Sequence, residues 1–317
     1  MKILGTGSAL PSLVVTNEML SQFLDTSDEW IITRTGIKER RILSKETLID
    51  LAVLAGERAL ESANMKASDI DFIICSNVAN NYITPSLSSI VQGKIQANCP
   101  CIDINVACTG FVFALDMADA YFATGRYKNI LIICAEEPSK FVNWKERDAS
   151  ILFGDGAGAI VISADKKENL LAMHLNTTCA TEPLYYQRAM EFNPFNEQPA
   201  ISNPLVMNGK EVYKLAVSSS IADIKKVFDS SNVTPHDITY YLLHQANTRI
   251  LETIRDFLGE PIEKFPRNIE KYGNTSSATI PILLDELNKE NKLKEGDLIV
   301  MSAFGAGFCT GACIIKW

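Results

Sequence analysis

The chain has 317 residues, 47% of them hydrophobic, enough for one large core or for two domains. Its formal net charge is −8, which excludes a general nucleic-acid or membrane-surface binder and requires a local basic patch for any acidic partner. The apolar stretch at Ile3-Leu4 is too short for a signal peptide, and no run of ~18 apolar residues predicts a membrane span.

In chain order, residues 3–10 predict a short strand ending in glycines and Pro11, and residues 17–24 a short helix. Residues 25–37 are polar, with Trp30 and Arg34 standing out. Residues 46–64 predict an amphipathic helix, Asp71–Ser76 a buried strand, and residues 85–96 a helix opened by Pro85-Ser86. Cys101–Val106 is an apolar run broken by Asp103 and Asn105. A helix follows from Thr109 to about Thr124, with apolar residues at Phe111, Ala114, Leu115, Ala118, Tyr121 and Phe122. Ile130–Ala135 predicts a strand. Residues 149–162 read as two strand-like runs around a glycine turn, and residues 179–210 as an excursion over the surface. Of the eight cysteines none has CxxC spacing and none has nearby His ligands, so reduced thiols, a cytoplasmic setting and no metal are expected.

The second half repeats the first. Leu51-Ala52-Val53 is answered by Leu215-Ala216-Val217, an offset of 215 − 51 = 164, and Asp69-Ile70 by Asp237-Ile238, an offset of 237 − 69 = 168. Phe153-Gly154-Asp155-Gly156 is answered by Phe304-Gly305-Ala306-Gly307. The expectation is an α/β fold of two similar halves, residues 1–165 and 166–317, packed face to face with helices between and outside two sheets. Cys108 occurs in one half and His244 in the other, so a joint site lies on the pseudo-twofold interface.

Cys108 sits where a strand hands over to a helix N-terminus, whose free N–H groups and dipole lower a thiol pKa. His244 ends the strand Tyr240–Leu243, a position that carries functional residues in such folds. His174 and His236 read as surface residues. Asn274 enters a helix from a loop of small residues. Each alone has a plain reading, as a core thiol, a satisfied histidine or a helix cap. Together they supply a nucleophile for a thioester carbonyl and two hydrogen-bond donors for a developing enolate. A papain-like thiol hydrolase also uses Cys, His and Asn, but lacks this duplicated pattern.

Asp25–Gly36, Val106–Gly110, Phe153–Gly158, His244–Ile250 and Gly273–Ser276 together resemble β-ketoacyl-acyl-carrier-protein synthase III, the initiating condensing enzyme of fatty-acid synthesis. The resemblance runs from Ile3 to Trp317. It implies a thiolase-like αβαβα fold, a homodimer, and acyl-CoA and malonyl-acyl-carrier protein as substrates, without metal or prosthetic group. By it Cys108 is the acylated nucleophile, while His244 and Asn274 assist decarboxylation. The N–H groups of Cys108 and Ala306 form the oxyanion hole, and Phe304 walls the site. Trp30 stacks on the CoA adenine with Arg147 on the other side of the base, and Thr26, Arg34, Gly209 and Asn247 contact CoA. Gln245, Ala246, Asn247, Thr248, Arg249 and Lys214 meet the carrier protein. Thr84 stands where an aromatic often limits the partner's acyl pocket. Ala306, Cys309-Thr310 and Asn105-Val106 also depart from the family pattern, which leaves room for a specialised role in secondary metabolism.

Overall fold

The computed structural model describes residues 1–164, 169–187, 195 and 204–317. Its first elements are β1 (Lys2–Ala9), β2 (Leu13–Thr16), α1 (Asn17–Ser21), α2 (Asp28–Thr35), β3 (Glu39–Ile42), α3 (Leu48–Ser62), β4 (Phe72–Ser76), α4 (Leu87–Lys94), β5 (Cys101–Ile104), α5 (Gly110–Ala123), β6 (Asn129–Glu136), α6 (Arg147–Ser150) and β7 (Gly156–Ser163). Then follow β8 (Leu170–Ala180), β9 (Leu184–Tyr185), β10 (Val206–Met207), α7 (Gly209–Asp229), β11 (Tyr240–Leu243), α8 (Thr248–Leu258), α9 (Ile269–Tyr272), α10 (Thr279–Lys289), β12 (Leu298–Gly305) and β13 (Gly307–Lys316).

The main sheets have the orders β1-β7-β6-β4-β5 and β11-β12-β13-β8. In the first, β7 is antiparallel to both neighbours, while β4 is parallel to β6 and β5. In the second, β13 is antiparallel to both neighbours and β11 is parallel to β12. Reversed, the second order matches the first strand for strand, except that β5 has no counterpart among the described residues. The division expected between 165 and 166 lies outside the described residues.

The strands are apolar on both faces because helices cover both. Along β6, Ile130, Ile132 and Cys134 face one cluster, while Leu131, Ile133 and Ala135 face another, the two-residue alternation of a strand. α3 and α4 close the outside of the first sheet, and α7 and α8 the outside of the second. Between the sheets lie α5 and α10. There Phe111, Leu115, Ile282 and Leu284 pack with Ile74 and Ile132 from one sheet and Leu242 and Met301 from the other. The layers run helix, sheet, helix pair, sheet, helix.

Residues 149–153 are not a strand. Ala149 and Ser150 finish α6, and a turn then runs to Phe153, whose neighbourhood bridges to Asn274. Of the excursion 179–210, residues 188–194 and 196–203 lie outside the described residues; its ends pair as β9 with β10.

Candidate active site

The site grows from two turns that face each other across the pseudo-twofold. Ala107–Thr109 leads from β5 into α5, and Ser276–Ala278 leads into α10. Ala107 has φ 47° and Ser276 has φ 54°, left-handed values at equivalent positions, 276 − 107 = 169. Such strain in non-glycine residues concentrates at functional sites. The two turns approach each other, with Cys108 Sγ 3.4 Å from Ser276 Oγ, and Ser76 Oγ at the end of β4 lies 3.2 Å from Ser277 Oγ. Gly110 permits this closeness, since a Cβ there would fall 1.8 Å from Ser76 Oγ.

Burial pushes the Cys108 thiol up to about 12; the Ser276 hydroxyl opposes this and the nearby Glu136 charge adds to it. Desolvation opposes the lowering expected from the helix N-terminus. At neutral pH the resting group is a thiol.

His244 is buried, and burial alone lowers its pKa to about 3, so the imidazole is neutral. Its Nδ1 lies 2.7 Å from Thr279 Oγ1, and that hydroxyl donates to the Ser276 carbonyl at 3.1 Å. One hydroxyl carries one proton, so this arrangement assigns the imidazole proton to Nδ1 and leaves Nε2 as an acceptor. Asn274 is fixed more fully. Its backbone pairs with Leu152 O at 2.8 Å and with Gly154 N at 3.1 Å. Its Oδ1 accepts from Ser276 N–H at 2.8 Å, which leaves the Nδ2 donors as the free end. At rest, therefore, Asn274 is equipped as a donor, and His244 donates only after taking a proton.

Cys108 lines two cavities. One, of about 110 Å³, is also bounded by Asn274, Phe304, Gly209, Asn247 and Leu184. The other, of about 380 Å³, runs past Ala306, Glu136, Phe141, Tyr186, Leu205 and Cys309. Phe304 meets the His244 ring edge-on at 5.1 Å. The backbone at Gly305 packs against the Cys108 amide nitrogen.

The nucleotide-side residues come from α2, the starts of α6, α7 and α8, and the segment before α2. Arg34 and Arg147 hold their guanidinium carbons 4.3 and 4.5 Å from the centre of the Trp30 ring. Arg147 thus lies close to Trp30, against the indole ring. Thr26 Oγ1 is buried with no partner among the described residues. Asn247 caps α8 and donates to Arg34 O at 3.2 Å, and Arg249 donates to Thr33 O at 3.0 Å.

Of the expected carrier-protein contacts, Lys214 and Arg249 are exposed, and Ala246, Asn247 and Thr248 are half-buried. Gln245 is buried, donating to Leu243 O at 2.7 Å and accepting from Asn268 N. Its side chain supports the loop and cannot meet a docking protein. Thr84 lies on an exposed loop and lines neither of the cavities that Cys108 lines. His236 is exposed, as expected; His174 is only partly so and lies 3.5 Å from the Asp223 carboxylate.

Glu136, Ser276, Thr279 and Leu184 were not singled out from the sequence. Glu136 had a signal: a carboxylate closes the apolar run Ile130–Ala135 at the strand end that faces Cys108. The other three carry none, since small hydroxyls and a leucine are common everywhere.

A duplicated sheet pair with Cys, His and Asn at its seam defines a condensing enzyme of thiolase-like fold. Residues 102–179 match the family 3-oxoacyl-[acyl-carrier-protein] synthase III, and residues 228–317 match its C-terminal part. The chain belongs to the β-ketoacyl-[acyl-carrier-protein] synthase III family. It is 43% identical to the member from Clostridium acetobutylicum, covering 100% of this chain and 98% of that one. The crystal structure of the Aquifex aeolicus enzyme is similar with a TM-score of 0.92 at 40% identity, covering 100% and 99% of the two chains. A priming β-ketosynthase of a polyketide pathway gives 0.93 at 32% identity, covering 99% and 95%.

Proposed function

We propose that Cys108 is the acyl carrier of the family reaction, in which a primer is joined to malonyl-acyl-carrier protein with loss of carbon dioxide. The chain is an acyltransferase that initiates fatty-acid synthesis. What carries the assignment of roles is that Cys108 and Asn274 line one cavity while Cys108 alone of the three opens onto the larger one. The primer enters as acyl-CoA, with Trp30, Arg34 and Arg147 at the nucleotide end and Gly209 and Asn247 along the arm. The thiol adds to the thioester carbonyl, CoA leaves as a thiol, and the acyl chain occupies the cavity of about 380 Å³. The Cys108 and Ala306 N–H groups hold the oxyanion.

Malonyl-carrier protein then uses the smaller cavity. Loss of carbon dioxide leaves an enolate, to which Asn274 Nδ2 donates. His244 takes a proton from solvent at Nε2 as the charge builds, donates it as a hydrogen bond to the enolate oxygen, and later gives it up to the Cys108 thiolate. The enolate carbon attacks the acyl-Cys108 carbonyl, and the expelled thiolate takes up a proton. Every step uses side chains, backbone and substrates.

The working form is a homodimer in the cytoplasm. β5 is the outer strand of its sheet with Ile102 exposed, and the adjoining loop exposes Tyr82 and Ile83. An unpaired apolar edge is a ready seat for a second copy. No helix among the described residues is long and apolar enough to cross a membrane.

Intact-protein mass spectrometry after exposure to a panel of acyl-CoAs tests the scheme. Cys108→Ala should form no acyl-enzyme. His244→Ala and Asn274→Ala should load, while condensation falls by about 10²–10³. Loading of Cys108→Ala at the normal rate would sink the scheme.

A further inference from the structure

The cavity of about 380 Å³ that holds Cys108 has a neighbour of about 600 Å³ beside the exposed loop of Tyr82 and Ile83. Val78, Asn105 and Tyr186 line both, so these three residues stand between the two spaces. The two sides differ in chemistry. On the Cys108 side the walls include Val106, Pro138, Phe141, Phe153, Leu184 and Leu205. On the far side Asn77, Asn80 and Asp103 stand among the wall residues. An acyl chain that passes the three residues leaves hydrocarbon for amides and a carboxylate, where its burial gains nothing.

Each of the three is held in place. Val78 is pinned through both backbone groups: its N–H donates to Glu136 Oε2 at 3.1 Å, and its carbonyl accepts from Asn105 Nδ2 at 3.2 Å. Asn105 Oδ1 accepts from the Ala107 N–H at 3.3 Å, so one side-chain amide joins the wall to the turn that carries Cys108. Tyr186 stacks on Phe141, with ring centres 4.7 Å apart and planes 19° from parallel. Tyr186 follows β9 directly, β9 pairs with β10, and Leu205 N just before β10 donates to Phe141 O at 2.8 Å. These bonds tie the strand end that carries the tyrosine to the segment that carries the ring beneath it. On the far side the Asp103 carboxylate accepts from Leu87 N–H and Ser88 N–H at 2.8 Å and from Asn77 Nδ2 at 3.1 Å, which fixes the loop behind the wall.

We propose that Asn105 and Tyr186 form a partition that ends the acyl cavity and sets the longest straight-chain primer that Cys108 accepts. The proposal rests on Cys108 being the acylated residue and on the larger cavity taking the acyl chain. A saturated chain that stops short of the partition packs each methylene against apolar wall. A longer one has to push the tyrosine off Phe141 and break the bond between Asn105 and Val78, or leave its end unhoused. Either way the longer thioester is held poorly for attack by Sγ, so the limit is built into one chain's own wall.

The test measures initial rates of acyl-enzyme formation by the full-length protein with acetyl-, butyryl-, hexanoyl-, octanoyl-, decanoyl- and dodecanoyl-CoA. Intact-protein mass spectrometry reads the acylation, and peptide mapping locates it. In the wild type the rate should rise by up to about fourfold per methylene, the gain from burying one CH₂, and then fall at one chain length. The deciding quantity is the ratio of dodecanoyl to butyryl loading, which a general loss of activity leaves unchanged. Tyr186→Ala removes the ring and should raise that ratio at least about 10-fold, while Tyr186→Phe keeps the ring and should return it to the wild-type value. Asn105→Ala breaks the bond to Val78 O and should raise the ratio as well, so it decides the matter where Tyr186→Ala fails to fold. A wild type that loads dodecanoyl as fast as butyryl would overturn the partition. So would a folded Tyr186→Ala or Asn105→Ala protein with the wild-type ratio. Acylation that persists in Cys108→Ala, or that maps to another residue in the wild type, refutes the nucleophile itself.

Discussion

Gly305→Ala tests whether the backbone seam between the halves governs chemistry. A Cβ on Gly305 would lie 2.7 Å from the Cys108 amide nitrogen, 3.1 Å from Thr109 Oγ1 and 3.2 Å from Ala107 Cβ. Ordinary contact begins at 3.4 Å, so the nearest atom has to give by 3.4 − 2.7 = 0.7 Å. That atom is backbone in a left-handed turn and cannot rotate aside as a flexible side chain would. Overpacking of this kind costs about 1–3 kcal/mol of stability. The larger effect falls on rate, since the displaced N–H is one of the proposed oxyanion donors and a misplacement of about 1 Å costs on the order of 10². We expect acyl loading from acetyl-CoA to fall by about 10²-fold with a Tm only a few degrees lower. Gly93→Ala, where an added Cβ meets nothing within 4 Å, should leave loading unchanged and gain about 1 kcal/mol from helix propensity in α4. A folded Gly305→Ala protein that loads at the wild-type rate would show that the contact does not set the hole.

Two further substitutions probe recognition. Lys214→Glu changes an exposed residue and should raise KM for malonyl-carrier protein by a factor that shrinks as salt rises, while self-acylation stays near normal. Arg249→Glu also loses the hydrogen bond to Thr33 O, so its KM for acyl-CoA should rise as well; equal behaviour of the two variants would contradict this division. For primer choice, the exposed Thr84 leaves room that a phenylalanine would fill in the proposed dimer. Propionyl and longer primers should load at least as well as acetyl, each buried CH₂ contributing about 0.8 kcal/mol, and Thr84→Phe should shift kcat/KM toward acetyl. A wild type that strongly prefers acetyl-CoA, unchanged by Thr84→Phe, would remove Thr84 from the pocket.

The long apolar elements were readable because their periods are unambiguous. The helix at 109–124 appears as α5 and the strand at 130–135 as β6, each within a residue or two. The repeat was readable from offsets, and it put Cys108 opposite His244 before any coordinates were considered. Residues 149–153 misled because five small and apolar residues fit a buried strand or the end of a helix equally well. α2 escaped because it has no apolar period; its marks are Ser27 at the N-cap and Gly36 at φ 79°, which bracket a polar helix. The helix terminus beside the thiol is visible in a sequence, whereas the burial that opposes its effect is not. Gln245 failed as a docking residue for the same reason: a polar side chain beside His244 looks exposed until Leu243 O and Asn268 N claim it.

The turns at 107 and 276 stand to each other as partners do across a dimer axis. In an isologous contact every residue appears twice, so one residue type must serve both places. Joining the halves in one chain lifts that restriction. Cys108 holds the place equivalent to that of Ser277, 277 − 108 = 169, and Glu136 ends the strand equivalent to the one Gly305 ends, 305 − 136 = 169. One turn carries a thiol and the other a hydroxyl; one strand end carries a carboxyl and the other only backbone. A symmetric pair of such units would place two thiols or two carboxyls at the axis, with like charges opposed at close range. Covalent fusion is therefore what lets unlike groups meet there, and a substitution that made the two halves more alike at the axis would remove a working part.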